Sequence, residues 1–318
     1  MRKKPAMPTP VIDRSLSDPT QAERRAIASL LEGASLEITA HDSADIAECV
    51  GYLDPRTEVF ISQPMGQPYH GAVSLAARLS RAGFRPVPHV TARALASLSA
   101  LDDYLARATG EAGVEHVLVI GGDRDRPAGP FDSSLAVLCT GALQRHGIRR
   151  VSIGGHPEGH PAISSKALQD ALRAKRELAR ENGLQLQIVT QFAFDAAPIV
   201  AWTKSVARLG LPVRVGLAGP ASITTLLKFA ARCGIGNSVR ALKSRSDSII
   251  RLITDAGPET VIRDLARSAE TGEASFAGVH LYTFGGLLRS ARWLRAVRSG
   301  NFQIVPGQPG FRAWTPAG

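Results

Sequence analysis

The segment SIGGHPEGHPA, residues 152–162, contains side chains that could bind a metal ion. These are His156, Glu158 and His160. The proline after each histidine excludes a regular helix that would bring both imidazoles onto one face. No cysteine or aspartate cluster completes a ligand set either, so we expect no metal here. Two interpretations stay open at this point: a structural turn, or the mouth of a cofactor pocket.

The segment belongs to a repeating pattern of short strands and helices. Eight runs rich in β-branched residues alternate with stretches in which apolar residues recur every three or four positions. The runs cover residues 35–40, 57–63, 85–91, 116–122, 149–155, 186–192, 212–219 and 278–285. This count is typical of an α/β fold, the (β/α)8 or TIM barrel. A doubly wound sheet is disfavoured because no GxGxxG turn follows the first strand.

The composition predicts one globular domain. Hydrophobic residues make up 44% and charged residues 21% of the 318 residues, the balance of an ordinary soluble protein. We expect a flexible basic tail over residues 1–18, a single barrel domain over 19–300 and an extension over 301–318. An extra helix should precede the first strand, and more than one helix should lie between strands seven and eight.

The same composition indicates the cellular location of the protein and the kinds of partner that it binds. No apolar run reaches the roughly 18 residues of a membrane span, the basic start lacks the apolar stretch of a signal peptide, and the three cysteines form no CxxC. We expect a cytoplasmic protein with no membrane partner. The formal charge of +10 favours anionic partners, but dispersed basic residues and few aromatic ones argue against nucleic acid. The sequence leaves the oligomeric state open, a homo-oligomer included.

Polar residues gather at the predicted carboxyl ends of the strands, where barrels carry their functional groups. They are Gln63, His89, Asp123, His156, His160, Gln191, Tyr282 and Thr283. Glu37 and Gln191 fall within strand sequence, where a buried polar group without a partner costs on the order of several kcal/mol. We therefore expect a binding or catalytic site in the mouth of the barrel.

Six segments occur in an order that is more specific than any one of them alone. They are SLEITAHD, PHVTAR, IGGDRDRP, GGHPEGHPAISS, IVTQFAFD and HLYTF, within residues 33–298. Together they resemble the methylenetetrahydrofolate reductase family. The resemblance implies a barrel that binds FAD non-covalently and takes hydride from NADH or NADPH. It would reduce 5,10-methylenetetrahydrofolate to 5-methyltetrahydrofolate at one shared site with ping-pong kinetics, or run in reverse during methyl-group catabolism.

The resemblance also implies roles for individual residues. Glu37 matches the family's acid, which protonates the departing nitrogen of the methylene bridge, and we expect burial to raise its pKa. Asp123 matches a catalytic aspartate between flavin and folate. The implied cofactor-binding residues are Gln63, His89, Gly122, Asp123, Phe131, Ser133, His156 and His160, with Lys175 or Arg176 for the FAD pyrophosphate. The implied substrate-binding residues are Gln191, Tyr282 and Thr283.

The chain departs from the family pattern around the cofactor and the substrate. Gly121 stands where arginine is usual, His156 where tyrosine is usual, and Phe131 lacks the hydroxyl of the usual tyrosine. Phe284 and Gly285 replace an Asn-Arg pair. Two alternatives therefore stay open: a flavin-independent NADH and folate reductase of the same barrel type, and a non-reducing pterin-binding methyl-transfer protein.

Overall fold

Eight parallel strands close into a barrel in chain order. The structure, a computed structural model, describes residues 19–63, 69–232, 257–305 and 307–314. The strands are β1 (Ser35–Ile38), β2 (Glu58–Ile61), β3 (Arg85–Thr91), β4 (His116–Ile120), β5 (Arg150–Gly155), β6 (Gln185–Thr190), β7 (Val213–Ala218) and β8 (Gly278–Tyr282). Each begins within one residue of its predicted start. The predicted (β/α)8 barrel is confirmed.

Helices surround the barrel and bury their apolar faces against it. They are α1 (Pro19–Leu30), α2 (Ile46–Cys49), α3 (Tyr69–Arg81), α4 (Leu98–Ala112), α5 (Ser134–Leu138), α6 (Ala142–Arg145), α7 (Ser165–Glu181), α8 (Ala196–Val206), α9 (Ile223–Arg232), α10 (Glu259–Glu270) and α11 (Leu287–Arg298). Within the described ranges, no helix combines the length and the apolar character that a membrane crossing requires.

The additional helices lie where the sequence predicts them. Helix α1 precedes β1 and packs on α10 and α11. Helices α9 and α10 both lie between β7 and β8, and residues 233–256 between them are outside the described part of the chain. The predicted tail over residues 1–18 also lies outside the described residues.

The residues after the barrel pack closely against it. Strands β9 (Phe302–Gln303) and β10 (Arg312–Ala313) pair antiparallel. Phe302 and Phe311 are buried in the main hydrophobic core, where Phe311 stacks on Trp293 of α11 with ring centroids 6.4 Å apart. The guanidinium of Arg24 on α1 also donates to the carbonyl oxygen of Gly300 at 2.6 Å. The predicted extension therefore shares its core with the barrel.

The middle of the barrel interior is apolar. Phe60, Val87, Leu118 and Val189, on four different strands, form one buried cluster. The ring of Phe60 is fully buried and lies edge-on to the imidazole of His280 at 4.6 Å between centroids. This layer separates the polar groups at the two ends of the barrel.

A charged cluster closes the amino-terminal end of the interior. We define the amino-terminal cluster as Glu58, His116, Arg150 and Arg214, in which the imidazole and the two guanidinium groups lie 2.6–3.7 Å from the Glu58 carboxylate. Burial raises the pKa of Glu58, but the hydrogen bond and charge of His116 and the two arginine charges prevail and lower it to about 2. A cleft of about 190 Å³ opens beside this cluster, at the end of the barrel opposite the predicted site.

Candidate functional site

Glu37 lies inside the carboxyl-terminal mouth of the barrel between two histidines. Its Oε2 is 3.2 Å from Nε2 of His89 on β3 and 3.5 Å from Nε2 of His280 on β8. The side chain of Glu37 is 15% exposed, whereas those of His89 and His280 are 6% and 0% exposed. Neither imidazole nitrogen is aligned for an ideal hydrogen bond, so these are close electrostatic contacts. The structure thus brings a buried carboxylate and two imidazoles together.

The two histidines reverse the pKa shift that burial alone would produce. Burial raises the pKa of Glu37, but the charge of His89 and the interactions donated by His280 and His89 prevail, lowering it from 4.5 to about 2. The prediction of a raised pKa is therefore wrong. Free Glu37 is a carboxylate at neutral pH, so any proton that it donates must first reach it from a neighbour.

His280 is held from its other side by Ser35. Oγ of Ser35 lies 2.9 Å from Nδ1 of His280, and both side chains are fully buried. Burial lowers the pKa of His280 although Glu37 opposes this, so His280 is neutral at neutral pH. Neither His280 nor Ser35 is among the residues predicted from the sequence. The usable signal was the two-residue period of a strand, which places His280 on the same face of β8 as Tyr282.

Tyr282 and Thr283, predicted to bind substrate, use their hydroxyls to tie strand ends together. Thr283 is buried, and its Oγ1 donates to the carbonyl oxygen of Glu37 at 2.7 Å. The Tyr282 hydroxyl donates to the carbonyl oxygen of Thr190 at 3.0 Å. Gln191 is half-buried at the end of β6, with Oε1 accepting from the amide of Phe192 at 3.1 Å. These bonds fix the rim on the β6–β8 side.

Aromatic rings line the same side of the mouth. Phe192 is buried, and the rings of Tyr282 and Phe284 lie 5.5 Å and 5.2 Å from it. Phe284 also packs on Phe229 of α9 at 4.5 Å. Its backbone has φ 51°, a left-handed conformation that is unfavourable for an aromatic residue. The aromatic rings thus form an apolar wall beside the polar groups.

The loop after β4 is fixed at its start and along its length. Gly122 has φ 91°, and a Cβ there would lie 2.2 Å from Cγ2 of Thr91, so only glycine fits. The Arg93 guanidinium donates to the carbonyl oxygens of Arg124 at 2.6 Å and Asp132 at 3.0 Å. These contacts hold Asp123, which is exposed, at the rim between β3 and β5.

His156 and His160 follow β5, and His156 lies near Lys175 on α7. The two imidazoles pack edge-to-face with centroids 5.4 Å apart. Burial, followed by the charges of His160 and Lys175, lowers the pKa of His156 to about 4. Lys175 is buried, and burial lowers its pKa to about 8. Its amine has no hydrogen bond or ion pair to any described residue. A buried amine without a counter-ion is suited to an anionic ligand.

Three predicted cofactor-binding residues have other contacts in the structure. Phe131 is buried in the main hydrophobic core, and the Ser133 hydroxyl caps α5 by accepting from the amide of Ala136 at 3.3 Å. Arg176 donates to the carbonyl oxygen of Leu209 at 2.8 Å, so Lys175 is the better pyrophosphate candidate of the two.

The other predicted positions lie at the mouth or next to it. Gln63 is half-buried directly after β2 and precedes the undescribed residues 64–68. His160 accepts at Nδ1 from the amide of Ala162 at 3.1 Å. Among the described residues, no group of histidine, cysteine, aspartate and glutamate has the geometry to hold a metal ion.

The fold and the site define a (β/α)8 barrel protein with a candidate ligand site at its carboxyl-terminal end. No family model matches the sequence. Among solved structures, the chain is similar to a conserved protein from a locus in Enterococcus faecalis with an unknown function. The identity is 12% and the TM-score 0.37, and the match covers 59% of this chain and 49% of that one. The chain therefore spans about half the length of that protein.

Proposed function

We propose that the chain is a cytoplasmic NAD(P)H-dependent methylenetetrahydrofolate reductase with FAD bound in the barrel mouth. The observation that carries this proposal is the contact of Glu37 with His89 at 3.2 Å, at the place where the sequence resemblance implies the catalytic acid. Its partners are then the folate substrate and NAD(P)H, without nucleic acid or membrane. The same site serves the reverse oxidation when methyl groups are catabolised.

Proton transfer is the task of the protein in this reaction. The substrate's methylene carbon joins two nitrogens, and one carbon–nitrogen bond breaks with its electron pair moving to the departing nitrogen. Glu37 passes a proton to that nitrogen, and because Glu37 is ionised in the free protein, His89 is the neighbour that supplies the proton. The iminium carbon left behind then accepts hydride and becomes the methyl group.

The residues at the mouth fit a flavin. The Lys175 amine, buried without a counter-ion among the described residues, would hold the pyrophosphate, with His156 and His160 beside it. Gly122 and Asp123 would lie against the ring system, since glycine permits close approach. Bound FAD would accept hydride from NAD(P)H and donate it to the substrate.

A flavin-independent reductase is the second candidate, and specific contacts favour it. Phe131 is buried in the core, the Ser133 hydroxyl caps a helix, and Gly121 stands where the family has arginine. Three of the flavin contacts that the resemblance implies would then be missing, whereas the contacts of Glu37 with His89 and His280 would remain. In this case nicotinamide would transfer hydride directly to the folate substrate.

An absorbance spectrum of the purified protein, followed by anaerobic mixing with NADH or NADPH, tests both candidates. We expect a flavin spectrum that bleaches with the nicotinamide and recovers when methylenetetrahydrofolate is added. A colourless protein that reduces the folate without any gain from FAD would establish the second candidate. Absence of folate reduction with either nicotinamide, with and without FAD, would refute both and leave the non-reducing pterin-binding alternative.

A further inference from the structure

Two buried side chains near Glu37, those of Ser35 and His280, have no role in the proposed function. We propose that His280, fixed by Ser35, is a positioning residue that closes the inner end of the Glu37 site, so that the transferable proton lies between Glu37 and His89. The reaction that uses this proton rests on the proposed function. The arrangement of Ser35, Glu37, His89 and His280 is independent of the proposed function.

The contact between Ser35 and His280 selects one imidazole tautomer. With Oγ of Ser35 2.9 Å from Nδ1 and the Glu37 carboxylate 3.5 Å from Nε2, the favourable arrangement has the serine hydroxyl donating to Nδ1. The ring proton then lies on Nε2, facing the carboxylate, which can only accept. His280 is therefore neutral and directs its Nε2–H group towards Glu37 as a close electrostatic contact.

Apolar side chains pack against the inner end of the row formed by Glu37, His280 and Ser35. The Phe60 ring lies against His280 with centroids 4.6 Å apart, and the buried Phe60 cluster fills the barrel below it. The charge of Arg214 disfavours a second proton on His280, and the Tyr282 ring lies edge-on at 4.8 Å. Beyond Phe60, the carboxylate of Glu58 is already neutralised by the amino-terminal cluster. No path of described polar groups leads inward from Ser35.

His89 is the other group in contact with the Glu37 carboxylate, and it lies on the mouth side of the apolar layer. A proton on the pair formed by Glu37 and His89 can reach the departing nitrogen of the substrate, which leaves Glu37 as a carboxylate and His89 neutral. Solvent at the mouth then restores the proton. The fixed Nε2–H group of His280 keeps the carboxylate from binding this proton too tightly, because its electrostatic contact stabilises the ionised form.

The tautomer can be tested without any assay of activity. In the full chain labelled with 15N at histidine, we expect the His280 imidazole to show only the Nε2-protonated neutral form from pH 7 to pH 9, because burial lowers its pKa. Ser35→Ala should release this preference, and the matched variant Ser268→Ala, which changes a buried serine of α10, should not. A His280 ring that titrates in this range, or that carries its proton on Nδ1, would overturn the proposal.

Kinetics of the holoenzyme test the consequence for proton transfer. His280→Leu should lower kcat for folate reduction by about 10- to 100-fold, move the alkaline limb of its pH profile upward, and leave both KM and the nicotinamide half-reaction unchanged. His280→Gln places an amide donor near the position of Nε2 and should restore both kcat and the profile. His116→Gln, in the other buried histidine–glutamate pair, is the matched control and should not move the profile.

The outcomes separate this proposal from the proposed function. If neither His280 variant moves the profile while folate is reduced, the positioning role is refuted. If the wild-type protein reduces no folate, the proposed function fails, and the imidazole spectra still decide whether His280 holds Glu37 in the inferred way.

Discussion

Glu58 lies 3.1 Å from His116 at the amino-terminal end of the barrel and repeats the contact that Glu37 makes with His89 at the other end. Both glutamates are largely buried and ionised, and for both the hydrogen bonds and charges of neighbouring side chains outweigh the effect of burial on the pKa. The difference lies in the partners. Two arginines also contact Glu58, whereas Glu37 contacts only imidazoles. Glu37 therefore lacks the permanently charged guanidinium partners that surround Glu58.

Glu37→Gln should lower kcat for reduction of methylenetetrahydrofolate by at least about 100-fold, because an amide cannot pass a proton to the departing nitrogen. Reduction of bound flavin by NAD(P)H should persist, since it needs no acid. Stopped-flow absorbance separates these two half-reactions. Glu58→Gln is the matched control, and its folded fraction should keep wild-type kcat. Full folate-dependent activity of Glu37→Gln would contradict the assignment of the acid.

Lys175→Met should weaken FAD binding by about 10- to 100-fold, because a charge-assisted contact to a phosphate is lost. The change retains most of the apolar volume that Lys175 fills on α7. Lys166→Met, on the exposed face of the same helix where Lys166 pairs with Asp170 at 2.6 Å, should leave the affinity unchanged. Titration calorimetry gives both affinities. Equal affinities for the two variants would place the pyrophosphate elsewhere.

The affinity for FAD should also depend on pH through Lys175. Burial lowers the pKa of its amine to about 8, and an anion bound beside the amine raises it again. Affinity should therefore be constant below pH 8 and decline as the pH rises above this value. Flavin fluorescence titrations from pH 6 to pH 10 would show the decline. In Lys175→Met the decline should be absent.

Acid should destabilise the fold through both buried glutamates. Each pKa is lowered to about 2 in the folded state, so the folded state binds protons less readily than the unfolded one. This contribution to the free energy of unfolding is complete above the ordinary pKa of 4.5 and is lost as the pH falls towards 2. We expect a loss on the order of 1–3 kcal/mol per group.

Urea unfolding at pH values from 6 to 2 measures this loss. Glu58→Gln should reduce the slope of stability against pH in this range, because one of the two groups is removed. An unchanged slope would show that the cations near Glu58 do not lower its pKa in solution.

Gly122→Ala should destabilise the protein by about 1–3 kcal/mol, through a strained left-handed backbone and a steric clash with Thr91. Gly147→Ala isolates the first effect, since Gly147 has φ 74° and no atom lies within 4 Å of the position that its methyl group would occupy. Its cost should therefore be smaller. Adding Thr91→Ser removes Cγ2 and should recover part of the loss in Gly122→Ala. Thermal unfolding of the variants gives the comparison, and equal costs would exclude the clash.

The sequence alone determined the barrel and the end of it that carries the polar residues. Strand starts could be predicted because β-branched runs, glycine and proline act locally. The rule that parallel strands end together then placed Glu37, His89, Asp123 and Gln191 at one mouth. Local signals also predicted the helix before β1 and those between β7 and β8.

Only the tertiary structure decided what surrounds each of these residues. Phe131 is a core residue and Ser133 a helix cap. The sequence did not predict these roles, because the spacing of the two residues does not indicate how α5 packs against the barrel. The pKa of Glu37 also took the opposite direction to the expected one, because His89 and His280 come from strands remote in the chain. Burial and charge contacts of this kind depend on barrel closure, which brings β1 beside β8, and no local pattern records them.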